Sequence, residues 1–467
     1  MSKNLFVGVD GKARKAKEFY VGVNGKARRI VKAYIGDENG KARPFWEKET
    51  IPITDSLEFV SDNSFTMSAT KLWNGTIEYN NGNGNGWTIW SGSQISSNAI
   101  DGRQRIYFRG SRNSYIRGQN ATETNSWKIT GSNVECNGNI EYLLDYQKVA
   151  AGEHPEMGSY CYREMFSNCS SLITSPELPA ITLVYGCYHG MFRNCSSLTT
   201  VSALPATILT INCYKSMFQG CSSLTIAPIL SATTLANECC YMMFYGCSSL
   251  TTAPELPATT LADYCYNMMF RNCSSLTTAP ELPATTLAKY CYNYMFNGCS
   301  SLRTAPALPA TTLADYCYNN MFGGCNTLTT APELPATTLA VGCYKNMFYN
   351  CENLIIAPAL PATTLADSCY YSMFYGCFRL RKIPALPAYI LPGYCYYSMF
   401  KECDIQLYSS GDETKNIIYL LPSEKNNWTN TQKESNSLTD MFTYDGLIQT
   451  PKFPAGYRLD NYYSIIS

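Results

Sequence analysis

An unbroken repeat of 26 residues constrains this chain more than any other feature of its sequence. From Cys161 to Cys403, ten units each carry a cysteine, nearly always followed by tyrosine, then Met-Phe and a second cysteine. The second cysteine follows the first by eight residues in every unit, and no insertion or deletion interrupts the series. A fixed period of about 20 to 50 residues is typical of a solenoid, in which each coil packs on its neighbours.

The unit at residues 265–290 shows what each coil is expected to contain. Its apolar residues up to the second cysteine recur at the spacing of one face of a short helix. Pro280 and Pro283 then keep the chain extended, which predicts one short strand per coil with the prolines at its margins. The buried ladder expected for this coil is Cys265, Met269, Phe270, Cys273 and Leu276.

The cysteines of this ladder are expected to be buried, reduced thiols. Of the 22 cysteines, 20 belong to the repeats. Residues eight apart on a helix are separated by ~12 Å, too far for a disulfide. Equivalent cysteines of neighbouring coils would be ~4.8 Å apart, but as parallel side chains. Disulfides remain an alternative, and so does a metal site, although the chain has only two histidines, His154 and His189, and no CxxC pair. We predict no metal and no cofactor.

The repeat resembles the BspA-like leucine-rich repeats, whose units carry an "AF..C.SL..I..P" core. Met269-Phe270, the Cys273-Ser274-Ser275-Leu276 segment and Pro283 occupy the matching places. The unit is a few residues longer than the usual one and has a second cysteine, which indicates a close variant. The resemblance covers about half the chain. It implies an extracellular protein that binds other proteins, matrix or glycans and is not an enzyme.

A second repeat occupies residues 5–46, in the copies LFVGVDGKARKAK, FYVGVNGKARRIV and AYIGDENGKARPFW. Asp10-Gly11 and Asn24-Gly25, each between short apolar runs, predict β-hairpins. So few apolar groups cannot form a large core, and the segment is expected to dock onto something else. These units resemble the N-terminal attachment segments of bacteriophage tail and fibre proteins. That resemblance implies that residues 1–47 bind other virion tail proteins; the alternative is a basic hairpin appendage with no specific role.

Residues 48–135 are expected to form a small all-β, sandwich-like domain. Pairs such as Ile77/Tyr79 and Ile106/Phe108 alternate with polar residues, and turn-rich stretches separate them. Its tryptophans are more typical of a core than of an aromatic sugar platform, although both interpretations remain open. They are Trp73, Trp87, Trp90 and Trp127.

The ends of the solenoid are expected to be capped, because an end coil must hide one apolar face. Residues 136–160 are predicted to cap the first coil. The ten coils extend over residues 161–405, and residues 406–467 are predicted to form the C-terminal cap. Within that cap, Leu438, Met441-Phe442 and Pro451 to Pro454 indicate a decayed repeat. The expected fold is therefore multidomain: a β-hairpin module, a small β domain and a leucine-rich-repeat solenoid.

Composition and motifs exclude several classes of function. Lysine plus arginine and aspartate plus glutamate are equal, at 36 each, which argues against nucleic acid or an acidic membrane surface as the partner. The N-terminus has charges but no apolar core of a signal peptide, and no run of 18 apolar residues exists, so no membrane insertion is expected. No phosphate loop, HExxH or GxSxG motif is present. Glu255 and Glu281 recur at one position and would stack ~4.8 Å apart, but a solvated column explains them better than a glycosidase pair.

Positions that vary between coils point to a binding surface. They lie between Cys-Tyr and Met-Phe and just before the second cysteine, and are rich in Tyr, Asn, Ser, Gly, Lys and Arg, as in binding paratopes. Neutral drift at exposed positions is the alternative, and the Thr- and Pro-rich strand face is a rival binding surface. The predicted receptor-binding residues are Arg271, Tyr290, Asn293, Tyr294, Lys345, Tyr349, Tyr371 and Tyr397.

Two functions compete at this point. The first is a bacteriophage tail fibre or receptor-binding protein, made in the host cytoplasm, located in the virion tail and binding a host cell-surface glycan or protein. The second is a bacterial BspA-like surface adhesin that binds host matrix or glycans. The missing signal peptide and the N-terminal units favour the first. Homo-oligomerisation is compatible with either function.

Overall fold

The computed structural model describes residues 55–117, 127–380, 384–388 and 390–403, the short stretches 436–437 and 439–441, and the backbone of strands near both termini. These residues fall into two compact units, Met1–Asp55 and Ser56–Ser467. In the second unit, a single hydrophobic cluster extends from the β strands into the coils. The finer domain boundaries suggested by the sequence stay predictions.

The first unit consists of antiparallel β-hairpins, one for each copy of the N-terminal repeat. Their pairings align glycine with alanine in each copy, as in Gly8 with Ala13 and Gly22 with Ala27. The turns at Asp10-Gly11 and Asn24-Gly25 lie outside the described residues. The strands are β1 (Phe6–Val9), β2 (Lys12–Lys15), β3 (Phe19–Val23), β4 (Lys26–Ile30), β5 (Lys32–Gly36) and β6 (Ala42–Glu47).

The second unit begins with two antiparallel sheets. Its strands are β7 (Leu57–Ser61), β8 (Thr66–Ser68), β9 (Thr76–Asn80), β10 (Thr88–Ile89), β11 (Ile95–Ser96), β12 (Asn98–Ile100), β13 (Arg103–Ser111), β14 (Lys128–Thr130) and β15 (Glu135–Asn137). The larger sheet has the order β10-β9-β13-β7-β15, with β12 also on β13, and the smaller has the order β11-β8-β14. Trp127, next to β14, packs against Phe108 and Phe59 of the larger sheet, with ring centroids 5.1 and 6.4 Å apart. Ile89, on the short strand β10, is 72% exposed and does not join this core.

The helix predicted in each coil is wrong, because the chain forms a row of turns instead. Over the turns at residues 264–272, φ is positive at every fourth residue: Tyr264, Met268 and Asn272 have φ of 58°, 56° and 62°. No α-helix tolerates such residues. The side chains that face the core therefore recur every four residues, in adjacent pairs such as Met269-Phe270, which the sequence spacing could not distinguish from a 3.6-residue period.

Hydrogen bonds between coils explain why these turns form. The N–H groups of Tyr266, Met268 and Phe270 donate to carbonyl groups of the next coil, at 3.1, 2.8 and 3.0 Å. The N–H groups of other residues in these turns, such as Met269 and Cys273, donate to the carbonyl three residues earlier in the same coil. An α-helix would direct all these donors along its own axis and leave none for the neighbouring coil. Stacking thus selects the turn conformation over the helix.

The strand predicted in each coil is reduced to isolated parallel bridges. Within the described part of residues 161–403, no segment qualifies as a strand. Two rows of bridges run along the solenoid, of which Thr252, Thr278 and Thr304 exemplify one and Thr260, Thr286 and Thr312 the other. Pro280 and Pro283 lie between the two rows, and because proline has no N–H, this part of the coil cannot continue a ladder.

The core of the solenoid consists of columns of identical side chains. Successive phenylalanine rings of the Met-Phe pairs stack with centroids 5.5–5.8 Å apart. The side chains of the predicted ladder are buried: Cys265, Met269, Phe270, Cys273 and Leu276 are all 0% exposed. Tyrosines of the Cys-Tyr pairs form a parallel buried column, which Cys240 interrupts.

Each second cysteine also makes a polar contact that the sequence does not reveal. From Cys195 to Cys403, its thiol donates to the phenylalanine carbonyl of the preceding coil, with Sγ···O distances of 3.0–3.2 Å. The same carbonyl accepts an N–H from its own coil, as Phe270 does from Cys273. A thiol is small, apolar and a weak donor, and all three properties suit this position.

Residues of the β domain form the first layer of the solenoid. The N–H groups of Ile116 and Trp127 donate to carbonyls of the first coil at 2.7 and 2.9 Å, and Val134 bridges Leu172. Trp127 takes the place of a core phenylalanine, since its carbonyl accepts the thiol of Cys169. The pairing thus begins well before the predicted cap at residues 136–160. From that segment, Ile140 also bonds to the first coil. The only helix in the described residues, α1 (Tyr142–Ala150), follows Ile140.

The last coil is covered by part of the predicted decayed repeat. Tyr396, Ser398 and Phe400 donate their N–H groups to the carbonyls of Ser437, Thr439 and Met441, at 2.9–3.0 Å. Two short strands follow, β16 (Thr443–Tyr444) and β17 (Leu447–Ile448), which pair as a hairpin. Leu438, Phe442 and Pro451 to Pro454 lie outside the described residues.

Candidate functional site

The side of the coils formed by the turns, residues 160–168 and their equivalents, carries most of the variation between coils; we call it the turn face. The residue just before the second cysteine is almost always asparagine or glycine, as in Asn194 and Gly220. Both have positive φ, of 59° and 74°, which asparagine and glycine tolerate best. The backbone accounts for this choice, so that position gives no indication of binding. The variable positions that remain lie between the Cys-Tyr and Met-Phe pairs, just before the first cysteine and just after the Met-Phe pair.

Seven of the eight predicted receptor-binding residues lie partly exposed on the turn face: Arg271, Tyr290, Tyr294, Lys345, Tyr349, Tyr371 and Tyr397. The prediction for Asn293 is wrong, because its side chain is only 5% exposed. Its amide donates to Asn267 at 3.1 Å and accepts from Asn319 at 2.8 Å. Asn293 therefore belongs to a buried ladder of asparagines that links three coils.

Four of the predicted residues gather at the last coils, where two tyrosines that were not predicted join them. Tyr349 stacks on Tyr375 with centroids 4.9 Å apart, and Tyr371 stacks on Tyr397 at 4.8 Å. Tyr394 lies 5.7 Å from the ring of Tyr397. We call these residues, together with Lys345, the C-terminal tyrosine patch: Lys345, Tyr349, Tyr371, Tyr375, Tyr394 and Tyr397.

One lysine belongs to this patch and a second lies next to it. The ammonium of Lys345 lies 4.3 Å from the ring centroid of Tyr371. Lys401 bonds Asp440 at 3.1 Å, and this bond, with smaller contributions from Tyr375 and Tyr397, raises the pKa of its ammonium group. Aromatic faces next to ammonium groups can bind apolar sugar faces and accept or donate hydrogen bonds at their hydroxyl edges.

Two hydroxyls of the patch, those of Tyr349 and Tyr371, stay protonated at neutral pH. Burial, followed by the neighbouring tyrosine Tyr375, raises the pKa of Tyr349 above its usual value. The pKa of Tyr371 is raised in the same way, with Tyr397 as the second cause. Tyr349 and Tyr371 thus present neutral phenols that can both donate and accept hydrogen bonds.

The other predicted residues form separate groups in the middle coils. Tyr290 stacks between Tyr264 and Tyr316, with centroids 4.7 and 4.9 Å away. The guanidinium of Arg271 lies 4.8 Å from the ring centroid of Tyr294. Sequence reasoning missed Tyr264, Tyr316, Tyr375 and Tyr394. Adding or subtracting one period from the predicted tyrosines would have found all but Tyr394, which lies four periods from Tyr290.

The Thr- and Pro-rich strand face and the tryptophans of the β domain are weaker candidates for a binding surface. The threonines of the bridge rows, such as Thr278 and Thr286, are exposed, and isoleucines such as Ile226 and Ile229 interrupt the pattern. Of the tryptophans, Trp73, Trp90 and Trp127 are buried, as the core interpretation expects. Trp87 is partly exposed, and the guanidinium of Arg109 covers it at 4.2 Å. The aromatic sugar platform considered for this domain is therefore not assembled.

The thiols of the solenoid are poor nucleophiles. All 22 cysteines are buried and unpaired. Burial raises the pKa of Cys299 to about 12 and that of Cys273 well above its usual value. Because the thiolate is the reactive form, these groups are inert at neutral pH.

The glutamates that recur at one coil position, among them Glu255 and Glu281, are all exposed to solvent. Over the ranges that the structure describes, no group of three or more His, Cys, Asp or Glu residues could hold a metal ion. In the same ranges, no helix has both the length and the hydropathy that crossing a lipid bilayer requires.

Comparison with protein families agrees with this geometry. A family model described as BspA type leucine rich repeat region, in six copies, matches residues 153–251, 187–329, 236–355 and 292–419. Together these matches cover more than half of the chain, including every coil described above. No curated protein and no solved structure shows significant similarity to the chain.

Proposed function

Because the chain belongs to the BspA-type leucine-rich repeat family, we propose that it is a non-enzymatic, adhesin-like protein that binds a cell-surface receptor through the C-terminal tyrosine patch. Repeats of this type suggest a surface or adhesin-like role. The observation that carries the proposal is the concentration of five half-exposed or exposed tyrosines on the last coils, next to Lys345. Tyrosine offers a large contact area at a low cost in conformational entropy.

A glycan is the receptor chemistry that this patch fits best. Stacked rings 4.8–4.9 Å apart present their edges and hydroxyls in a regular row. Sugars offer apolar faces for the rings and hydroxyls for the phenols. A protein is the alternative receptor for the same patch.

The test compares two matched triple variants of the full chain. The patch variant is Tyr349→Ser, Tyr371→Ser and Tyr397→Ser. The control replaces three equally stacked tyrosines of the middle coils, Tyr264, Tyr290 and Tyr316, by serine. Binding to a panel of immobilised bacterial polysaccharides and to intact bacterial cells is measured. We expect the patch variant to lose at least about tenfold in affinity, about 1.4 kcal/mol, and the control to bind as the parent chain does.

Unfolding curves of both variants serve to separate lost binding from lost structure. If a folded patch variant binds as strongly as the parent chain, the receptor site does not lie on the last coils. Equal losses in both variants would mean that tyrosines contribute without forming a distinct site.

We further propose that residues 1–47 attach the chain to a larger assembly, a bacteriophage tail, so that the repeats are displayed on the virion. The three hairpins support this, because each repeats the same short module and together they form a compact unit distinct from Ser56–Ser467. Display in several copies would raise avidity without any new contact. The alternative is an adhesin on a bacterial cell surface.

Deleting residues 1–47 distinguishes these placements. In a phage that carries this chain, we expect the truncated protein to fold and to be missing from purified virions. Normal incorporation of the truncated chain would contradict attachment through the hairpins. Absence of the full chain from virions, with the chain found on the bacterial surface, would favour the adhesin.

A further inference from the structure

The first three coils carry a cluster of cations that the C-terminal tyrosine patch does not include. Arg163, His189 and Lys215 occupy one position of the turn face in consecutive coils, and Arg193 lies four residues after His189. Burial, followed by the positive charges of Arg163, Lys215 and Arg193, lowers the pKa of His189 to about 3. His189 is therefore neutral at pH 7 and lies close to two arginines and a lysine.

These cations are only partly compensated within the protein. Arg193 reaches Glu164 at 3.9 Å, and Lys215 pairs with Glu238. Within the described residues, the guanidinium of Arg163 has neither an ion pair nor a hydrogen bond, and its Nε is buried. The Nε of Arg193 and the Nδ1 of His189 are likewise buried without a hydrogen-bond partner in that part of the chain.

A fourth cation and two aromatic rings extend the cluster. Arg163 and Arg117 both lie over the ring of Tyr160, with Cζ 5.2 and 5.9 Å from its centroid. The ring of Tyr185 is perpendicular to that of Tyr160, 5.0 Å away, and is 39% exposed. Four cations thus face two carboxylates beside an exposed ring. We call Arg117, Arg163, Arg193 and Lys215 the N-terminal cationic cluster.

An excess of positive charge held in place around a neutral histidine is costly unless an anion shares the site. The arginines remain partly exposed, with 35% of the Arg193 side chain accessible, so an external anion can reach their terminal nitrogens. Guanidinium groups bind carboxylate and sulfate through paired hydrogen bonds. The exposed face of an adjacent tyrosine suits a sugar ring better than a simple ion.

We propose that the N-terminal cationic cluster binds an anionic sugar chain, one whose rings carry carboxylate or sulfate groups. The anionic groups lie against Arg163, Arg193 and Lys215, and a sugar ring packs on Tyr185. This site is separate from the C-terminal tyrosine patch and does not depend on it. Loss of one site therefore leaves the other to be measured.

The two histidines of the chain provide a local readout. The full chain is labelled with ¹³C at histidine Cε1, and its two imidazole signals are followed by NMR at pH 7. His154, which bonds Glu141 at 2.8 Å, serves as the internal reference. We expect galacturonate oligosaccharides, or heparin-derived sulfated ones, to shift the His189 signal and leave that of His154 unchanged. Comparing the two probes decides whether carboxylate or sulfate is preferred.

A charge-matched pair of variants supplies the control. Arg163→Gln, Arg193→Gln and Lys215→Gln together remove three charges from the cluster. Lys289→Gln, Arg303→Gln and Arg379→Gln remove the same charge from other exposed positions. We expect the first variant to bind the anionic oligosaccharides at least about tenfold more weakly, and the second to bind nearly as the parent does. Binding of the parent should also weaken as salt concentration rises.

Four results would overturn the proposal. They are an unchanged His189 signal at saturating oligosaccharide, equal losses in both charge variants, equal affinity for a neutral oligosaccharide of the same length, and equal affinity for an oligoglutamate peptide of the same charge. The last result would indicate an acidic polypeptide instead of a sugar. Because the first variant removes partly buried side chains, its folding is checked by thermal unfolding, and the single variant Arg163→Gln is measured beside it.

Discussion

Replacing Phe270 by alanine tests whether the stacked columns hold adjacent coils together. The ring is fully buried and lies between Phe244 and Phe296, with centroids 5.6 and 5.7 Å away and the rings nearly parallel. Its removal leaves a cavity that touches both neighbouring coils, so both interfaces weaken. For a phenylalanine in a rigid core, the expected loss is roughly 3–5 kcal/mol.

Hydrogen exchange measures this loss where it arises. The N–H groups of Tyr266 and Met268 donate to the next coil and are expected to exchange slowly in the parent chain. In Phe270→Ala they should exchange roughly 10²–10⁴-fold faster, the factor that corresponds to the expected loss. Amides of distant coils should change less, because stability in a solenoid is transmitted through nearest neighbours.

A matched variant controls for nonspecific effects of the substitution. Phe270→Leu keeps most of the apolar volume and should cost clearly less than the alanine variant. A loss below about 1 kcal/mol for Phe270→Ala, or a uniform change along the chain, would refute the view that the phenylalanine column couples successive coils.

Three further predictions follow from single positions. Gly342 has φ of 56°, and a Cβ there would lie 2.4 Å from the ring of Tyr316. At Gly324 φ is also positive, but the nearest atom to such a Cβ is 3.8 Å away. In urea unfolding, Gly342→Ala should therefore destabilise the chain by more than Gly324→Ala. Asn293→Ala leaves a buried asparagine amide without its acceptor and should cost roughly 1–3 kcal/mol in the same assay while receptor binding by the folded variant is unchanged. Burial raises the pKa of Cys299 from 9.0 to about 12, as it raises that of other thiols of the column. The free energy of unfolding should therefore be constant below about pH 9 and fall as the pH rises towards 12, because the unfolded chain loses its thiol protons first. Circular dichroism melts across this range test the sign, and a rise in stability above pH 9 would contradict it.

Much of the solenoid could be predicted from sequence because its core repeats. Phe270 and Cys273 recur with their neighbours in every unit, so the buried ladder was evident from the period alone. The surface could not be predicted in the same way. Asn293 and Tyr294 are adjacent and both variable, yet one is buried in an asparagine ladder and the other is partly exposed. Exposure at such positions depends on the equivalent residues one coil before and after.

The N-terminal cationic cluster shows the same limit. In sequence, Arg163, His189 and Lys215 are single variable residues separated by 26 positions. Only stacking brings their charges close enough to act on one another. Charges that are grouped along the solenoid axis come from residues 26 positions apart, so no local stretch of sequence shows them together.

The register of the solenoid follows from the sequence alone, because an exact period with a fixed set of apolar residues permits only one way of stacking the coils. The sequence also identified the hairpins, whose short repeats carry their own turn residues. The tertiary structure decided the conformation of each coil. Donors such as the N–H groups of Tyr266 and Phe270 bond to the next coil instead of their own, so turns with positive φ replace the helix that the spacing suggested. Hydrogen bonding between coils outweighs local helical preference here, and it is therefore the neighbouring coil, not the local sequence, that sets which side chains reach the surface.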